Sequence, residues 1–323
     1  MITITLENFE RDLLAASAQV PVLLDIWAEW CGPCKQLSPV LDKLEAEYAG
    51  RFILAKVNAD EEPEITGQLS QMFGVRSIPF CVMFAGGQPV DGFVGALPEA
   101  QIRAFLDKHV PSAEEADAVE DLAEAGELAA AGQPASALEK LQEAIALDPS
   151  NDEARLEYVK LLLQAQRVDD AKTAFLPIAS KATGLLADAR VAAFALYVDA
   201  CVAAPGLRSP DALAAAIAAN KRDFEARYDL ARGHFAAGRY TEAMDELLEI
   251  IMRDKKWNDE AARKAYVAVL EVMTKPQPKA PKGPAPGKPA DAKPALEVAG
   301  RQEVAGADPV IDQYRRKLSM ALF

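Results

Sequence analysis

Only four cysteines and two histidines occur in 323 residues. That is too few for a disulfide-built secreted fold. It is also too few for a multi-ligand zinc site. Cys31 and Cys34 form the one close pair, while Cys81, Cys201, His109 and His234 stand alone. Each of those four isolated residues is expected to be a packing or surface residue, and neither metal nor cofactor is expected. No stretch is expected to reach the length and apolarity of a membrane span. The chain opens directly on strand-like residues 2–6 without a leader-like segment, so a cytoplasmic place is expected. Positive charge is scarce as well, with 35 Lys and Arg against 49 Asp and Glu. The deficit lies in residues 1–110 (8 basic, 15 acidic) and 111–274 (18 basic, 29 acidic); residues 275–323 are mildly basic (9 against 5). An acidic body argues against nucleic acid as the main partner. The mildly basic tail is too weak a signal for binding membrane or RNA.

What is present is concentrated in Trp27-Ala-Glu-Trp-Cys-Gly-Pro-Cys-Lys35. This run follows an apolar, strand-like stretch, residues 22–27, and opens a helix-like one, residues 34–48. A Cys-x-x-Cys at a strand-to-helix turn is a redox site with a mechanism. The helix N-terminus presents unpaired N–H groups and partial positive charge, which favours the thiolate of Cys31. Pro33 suits the first helical turn because its missing N–H would be unpaired there anyway. Gly32 is expected to leave the Cys31 sulfur open to a large substrate. Cys34, one turn deeper, is placed to attack a mixed disulfide at Cys31.

Four neighbouring features fit this reading. Asp25 stands amid apolar strand residues; buried, it would hold a raised pKa and relay the Cys34 proton, whereas on a solvated strand face it would be ordinary. Pro79, before a strand starting at Phe80, suits a cis peptide that leaves Ile78 to offer backbone groups to an extended client. Gly95, after a strand over residues 88–94, permits close approach of a client backbone. Trp30 offers an apolar contact surface, and Trp27 is expected to pack.

Together with Ile53-Leu-Ala-Lys-Val57, Asn58-Ala-Asp60, Phe73-Gly-Val-Arg-Ser-Ile-Pro79, Gly86-Gly87 and Val94-Gly95-Ala96, these residues make 1–110 resemble thioredoxin throughout. The resemblance implies an α/β thioredoxin fold, a mixed central sheet flanked by helices. It implies Cys31 as nucleophile, Cys34 as resolving thiol, Asp25 as buried acid, Lys56 as its charged neighbour and Pro79 as cis-proline.

Polar, acidic residues 111–121 read as a short linker. From 122 to 274 the pattern turns helical, and a period of 34 emerges. Ala137 and Ala171 stand 34 apart, as do Leu141 and Phe175; Gly238–Leu247 repeats the motif 72 positions after Ala171. This is similar to the tetratricopeptide repeat, an all-α array of helix pairs. Small alanines allow close helix approach, and stacked pairs would build a short superhelix with a concave surface for peptides or proteins. A helix set that only packs on the redox domain is the plainer alternative.

Residues 275–307 hold a Pro/Lys/Ala-rich stretch that reads as an extended tether. Residues 308–323 regain helical pattern. Asp308 is an N-cap with Pro309 at the first helical position. Ile311, Tyr314, Leu318 and Leu322 form one apolar stripe, with Arg315, Arg316 and Lys317 as a basic cluster. So short a helix needs a groove, on a partner or on its own repeats. The length of the tether favours the partner.

Thioredoxin domain, repeats and an Asp-Pro…Tyr-Arg-Arg-x-Leu…Leu-Phe tail, in that order, resemble the bacterial chaperedoxins (the CnoX/YbbN family). The resemblance implies a holdase that binds unfolded or oxidised clients, protects or reduces their cysteines, and passes them to a GroEL-type chaperonin contacted by the tail helix. Thioredoxin reductase or another thiol reductant would be a further partner. A plain protein-disulfide reductase whose repeats dock one partner, and a non-catalytic protein-binding scaffold, are the alternatives.

Overall fold

A computed structural model describes residues 2–276 and 308–322. The expected tether, apart from Lys275 and Pro276, lies outside the described residues, as does Phe323. The chain divides into two compact units, with the boundary between Val119 and Glu120; the C-terminal helix belongs to the second.

The first unit is built on five strands: β1 (Ile2–Thr3), β2 (Val22–Trp27), β3 (Ile53–Asn58), β4 (Phe80–Ala85) and β5 (Gln88–Val94). Their spatial order is β1-β3-β2-β4-β5. The pairs β1–β3 and β3–β2 are parallel, whereas β4 runs antiparallel to both β2 and β5. Three helices belong to it: α1 (Gly32–Glu47), α2 (Pro63–Phe73) and α3 (Glu99–His109). β2 is apolar on both faces because both are covered. Leu23 faces Leu37, Leu41 and Leu44 of α1 and Ile102 and Leu106 of α3. Val22, Leu24 and Ile26 join Ile65 and Leu69 of α2. With a side-chain period of two, Asp25 shares the face of Leu23 and points toward α1. The opening strand is shorter than residues 2–6, and a π-helical turn, Phe9–Ala15, precedes β2.

The linker expected over 111–121 is instead helical almost from its start: α4 spans Ala113–Ala130. The signal was in the sequence as a capping box. Ser112 N–H donates to Glu115 Oε2 (3.0 Å), and Glu115 N–H donates to Ser112 Oγ (3.1 Å).

The second unit continues with α5 (Pro134–Leu147), α6 (Asp152–Gln164), α7 (Val168–Phe175), α8 (Ala189–Ala203), α9 (Pro210–Ala219), α10 (Phe224–Ala236), α11 (Tyr240–Arg253), α12 (Trp257–Met273) and α13 (Pro309–Leu322). The period has a backbone counterpart. Gly132, Gln166 and Gly238 all take positive φ (75°, 61° and 71°), and α5, α7 and α11 each begin two residues later. Ala137, Ala171 and Ala243 are fully buried at the same place in those helices. Asn151 and Asp223, 72 apart, cap α6 and α10 by accepting from Ala154 N–H and Ala226 N–H. Between them come α8 and α9, joined through a 3₁₀ turn, Ala204–Gly206, that escapes the period; α9 packs on α10, its Leu213 clustering with Ala226 and Leu230.

One expectation fails here. Ala189–Gly206 is long and apolar enough to cross a membrane by length and composition. It is nevertheless a central helix of this unit: α8 packs against α6, α7, α10 and α12 at once. Phe194, Tyr197, Val191 and Cys201 lie within that core. Helices α6, α7, α10 and α12 therefore gather around α8. Arg190 fixes the arrangement, bonding to Glu157 of α6 (3.1 Å) and to the Glu271 carbonyl at the end of α12 (2.9 Å).

Candidate functional site

The dithiol sits where β2 ends and α1 begins. Cys31 is the N-cap of α1: its Sγ accepts from Cys34 N–H at 3.2 Å, with Gly32 and Pro33 opening the first turn. The two cysteines are joined as a disulfide, their Cα atoms 5.3 Å apart. Cys31 retains 3 % of its surface and Cys34 2 %. The open sulfur expected from Gly32 is thus absent in this oxidised form. Ala28, Trp27 and Ile78 pack around the pair.

Ile78 and Pro79 are joined by a cis peptide bond. Pro79 carbonyl accepts from Gly95 N–H at 2.8 Å, which brings Gly95 beside it. Gly95 has φ +88°, a backbone that side chains disfavour, and nothing lies within 4 Å of where a Cβ would stand. Trp30 is 71 % exposed, held by donation from its Nε1 to Asp60 Oδ2 (2.9 Å). Glu29, Asn58, Asp60 and Glu61 line a shallow hollow with it. Cys31, Cys34, Trp27 and Ile78 are thus brought together, with Pro79 and Gly95 adjoining.

Asp25 is 1 % exposed. Burial pushes its carboxyl from 3.8 up to about 6, against the opposing pull of Lys56 and Cys81. Lys56 stands opposite it in the β2–β3 register. Its ammonium, however, donates to Ser38 Oγ (2.6 Å) and Asp42 Oδ1 (3.0 Å) of α1, so it acts on Asp25 as a nearby charge and its ion pair is with Asp42. The hydrogen-bonding neighbour that sequence reasoning missed is Cys81. It stands opposite Asp25 in the β2–β4 register, and its Sγ donates to Asp25 Oδ1 at 3.7 Å. No local spacing could have signalled this, because 56 residues separate the two.

A thioredoxin family model matches residues 1–108, and tetratricopeptide-repeat models match 128–195 and 204–283. Thioredoxin 1 of Nostoc sp. is 42 % identical over 107 residues, which is 33 % of this chain and 94 % of that relative. Thioredoxin of Haemophilus influenzae is 43 % identical over 105 residues, 32 % of this chain and 94 % of the relative. Thioredoxin of Chlorobaculum thiosulfatiphilum is 44 % identical over 104 residues, 32 % and 91 % respectively. The chain belongs to the thioredoxin family. It is a thioredoxin-type redox protein with a Cys31–Cys34 pair, extended by tetratricopeptide-type repeats.

Beyond its thioredoxin domain lies α13, capped as expected by Asp308 Oδ1 accepting from Val310 N–H (2.9 Å). Its apolar stripe is not held free for a partner. Ile311 and Tyr314 keep 6 % and 5 % of their surface, packed with α11 and α12, and Leu318 and Leu322 border the same core. Tyr314 hydroxyl donates to Asp245 of α11 (3.1 Å), and Tyr266 hydroxyl of α12 donates to the Tyr314 carbonyl (2.8 Å). Lys317 pairs with Asp245 (3.3 Å), and Lys255 donates to the Leu322 carbonyl (2.7 Å). The groove that the stripe requires is supplied by this unit's own helices. Arg315, Arg316 and Met320 remain exposed.

Proposed function

We propose that this protein is a cytosolic thioredoxin-type holdase, which binds unfolding clients, reduces or protects their cysteines and hands them to a GroEL-type chaperonin. The observation that carries the redox half is the Cys31–Cys34 disulfide at the N-terminus of α1, just beneath the surface that Ile78, Pro79, Gly95 and Trp30 border. Reduced Cys31 attacks a client disulfide as thiolate, forms a mixed disulfide and releases one client thiolate. Cys34, whose proton passes to Asp25, then attacks the Cys31 sulfur; the second client thiolate leaves and Cys31–Cys34 is again a disulfide. Two electrons from thioredoxin reductase or another thiol reductant restore the dithiol. An extended client would pair with the Ile78 backbone, whose N–H and C=O take no hydrogen bond among the described residues.

The holdase half draws on the repeats, a type of array that offers protein-binding surfaces. Chaperonin contact would use the exposed Arg315–Arg316–Met320 side of α13, or require the Ile311, Tyr314, Leu318 and Leu322 stripe to leave its groove. One experiment separates holdase from reductase: suppression of aggregation of a thermally unfolding client by the Cys31→Ser, Cys34→Ser protein. Retained suppression supports the holdase; its loss leaves a reductase whose repeats dock one partner. The burial of the α13 stripe weighs on the chaperonin hand-over alone, since it removes the need for an external groove.

A further inference from the structure

We propose that Cys81 is a positioning residue for Asp25, its thiol holding the carboxylate that serves the dithiol. Three strands put the groups in line. Asp25 on β2 has Lys56 opposite on β3 and Cys81 opposite on β4. Asp42 of α1 is the remaining charge that acts on Asp25, and it is paired with Lys56. Lys56 gives its hydrogen bonds to Ser38 and Asp42, not to Asp25. Among the described residues, the Cys81 thiol is therefore the only side chain hydrogen-bonded to the Asp25 carboxyl.

That contact is held tightly. Cys81 is fully buried, on the face of β4 that also carries Met83, against Leu37 and Leu41 of α1. The thiol stays protonated, because burial and the adjacent carboxylate push its own titration well up. A permanent S–H donor beside a buried carboxylate stabilises the charged form, offsetting part of the desolvation. It also fixes one carboxylate oxygen. Cys81 thereby sets how readily Asp25 takes and returns a proton. Its effect on the redox reaction follows only if Asp25 accepts the Cys34 proton, as proposed above; its hold on Asp25 does not depend on that role.

The test uses the oxidised full-length protein, in which Cys31 and Cys34 do not titrate. The Asp25 carboxyl is followed by carboxylate-detected NMR in wild type, Cys81→Val and Cys81→Ser. Cys81→Val keeps the apolar bulk and removes the donor. It should raise the proton affinity of Asp25 about threefold or more. Cys81→Ser keeps a donor and should leave the midpoint at or below that of wild type. An unchanged or lowered midpoint in Cys81→Val overturns the assignment, and so does a serine variant that behaves like valine. Stopped-flow resolution of a mixed disulfide then reads the consequence. Its pH profile should move with the Asp25 midpoint. If the midpoint moves and the profile does not, the contact stands and the relay role of Asp25 is what fails.

Discussion

Replacing Asp25 with asparagine should change how the stability of the thioredoxin domain depends on pH. Asp25 is buried, and its carboxyl is displaced from 3.8 to about 6. The folded state therefore binds this proton more tightly than the unfolded chain. With a raised folded value, the favourable contribution is complete below about pH 4 and is lost as pH climbs through about 6. Each pKa unit corresponds to about 1.4 kcal/mol, so by pH 8 the charged, buried Asp25 costs on the order of 3 kcal/mol. The asparagine amide does not ionise and carries no such cost. The difference in unfolding free energy, Asp25→Asn minus wild type, should rise by about 2.5 kcal/mol between pH 4 and pH 8. A fixed offset from burying an amide leaves this rise untouched. The assay is urea unfolding of the oxidised protein in a Trp257→Phe background, so that fluorescence comes from Trp27 and Trp30 alone. A difference that stays flat across this range within about 0.5 kcal/mol would mean that Asp25 titrates as a solvated carboxylate, and the buried-acid argument would be wrong.

The reduced protein should cleave the disulfides of insulin. Cys31→Ser should abolish turnover, and Cys34→Ser should accumulate a mixed disulfide at Cys31, seen as a mass adduct on a non-reducing gel. Tyr314→Ala should weaken the repeat unit by about 3 kcal/mol through lost aromatic packing, and Tyr314→Phe by about 1 kcal/mol through the lost bond to Asp245, both read by Trp257 fluorescence in urea in a Trp27→Phe, Trp30→Phe background. An alanine variant as stable as wild type would show that α13 is not seated on α11 and α12 in solution. Ser112→Ala should loosen the start of α4 by about 1 kcal/mol, appearing as roughly fivefold faster amide exchange at Glu115.

Much of this architecture is legible in the sequence alone, and the reasons are local. The strand over 22–27, the turn carrying Cys31 and Cys34 and the strand over 88–94 are written in side-chain period, proline placement and cysteine spacing. The repeats are legible where their connections keep one length, as at Gly132, Gln166 and Gly238. They fade at α8–α9, where the connection changes. The start of α4 was written too, as Ser112-x-x-Glu115, but an acidic stretch rich in alanine looks alike in a linker and in a solvated helix.

Other features belong to the tertiary structure alone. Asp25 meets Cys81 because β4 returns antiparallel beside β2, and strand register between distant segments has no signature in either one. Lys56 turns to Asp42 because α1 crosses that face of the sheet, which no residue of β3 specifies. The apolar composition of 189–206 fits a membrane as well as a core, and only the surrounding helices decide between them. The stripe of α13 states that the helix must be covered. What covers it was decided by the groove between α11 and α12, where Asp245 and Tyr266 wait for Tyr314. Sequence determines which faces must be buried, because transfer from water is a property of each side chain; which surface buries them is a property of shape, and shape exists only once the chain has folded.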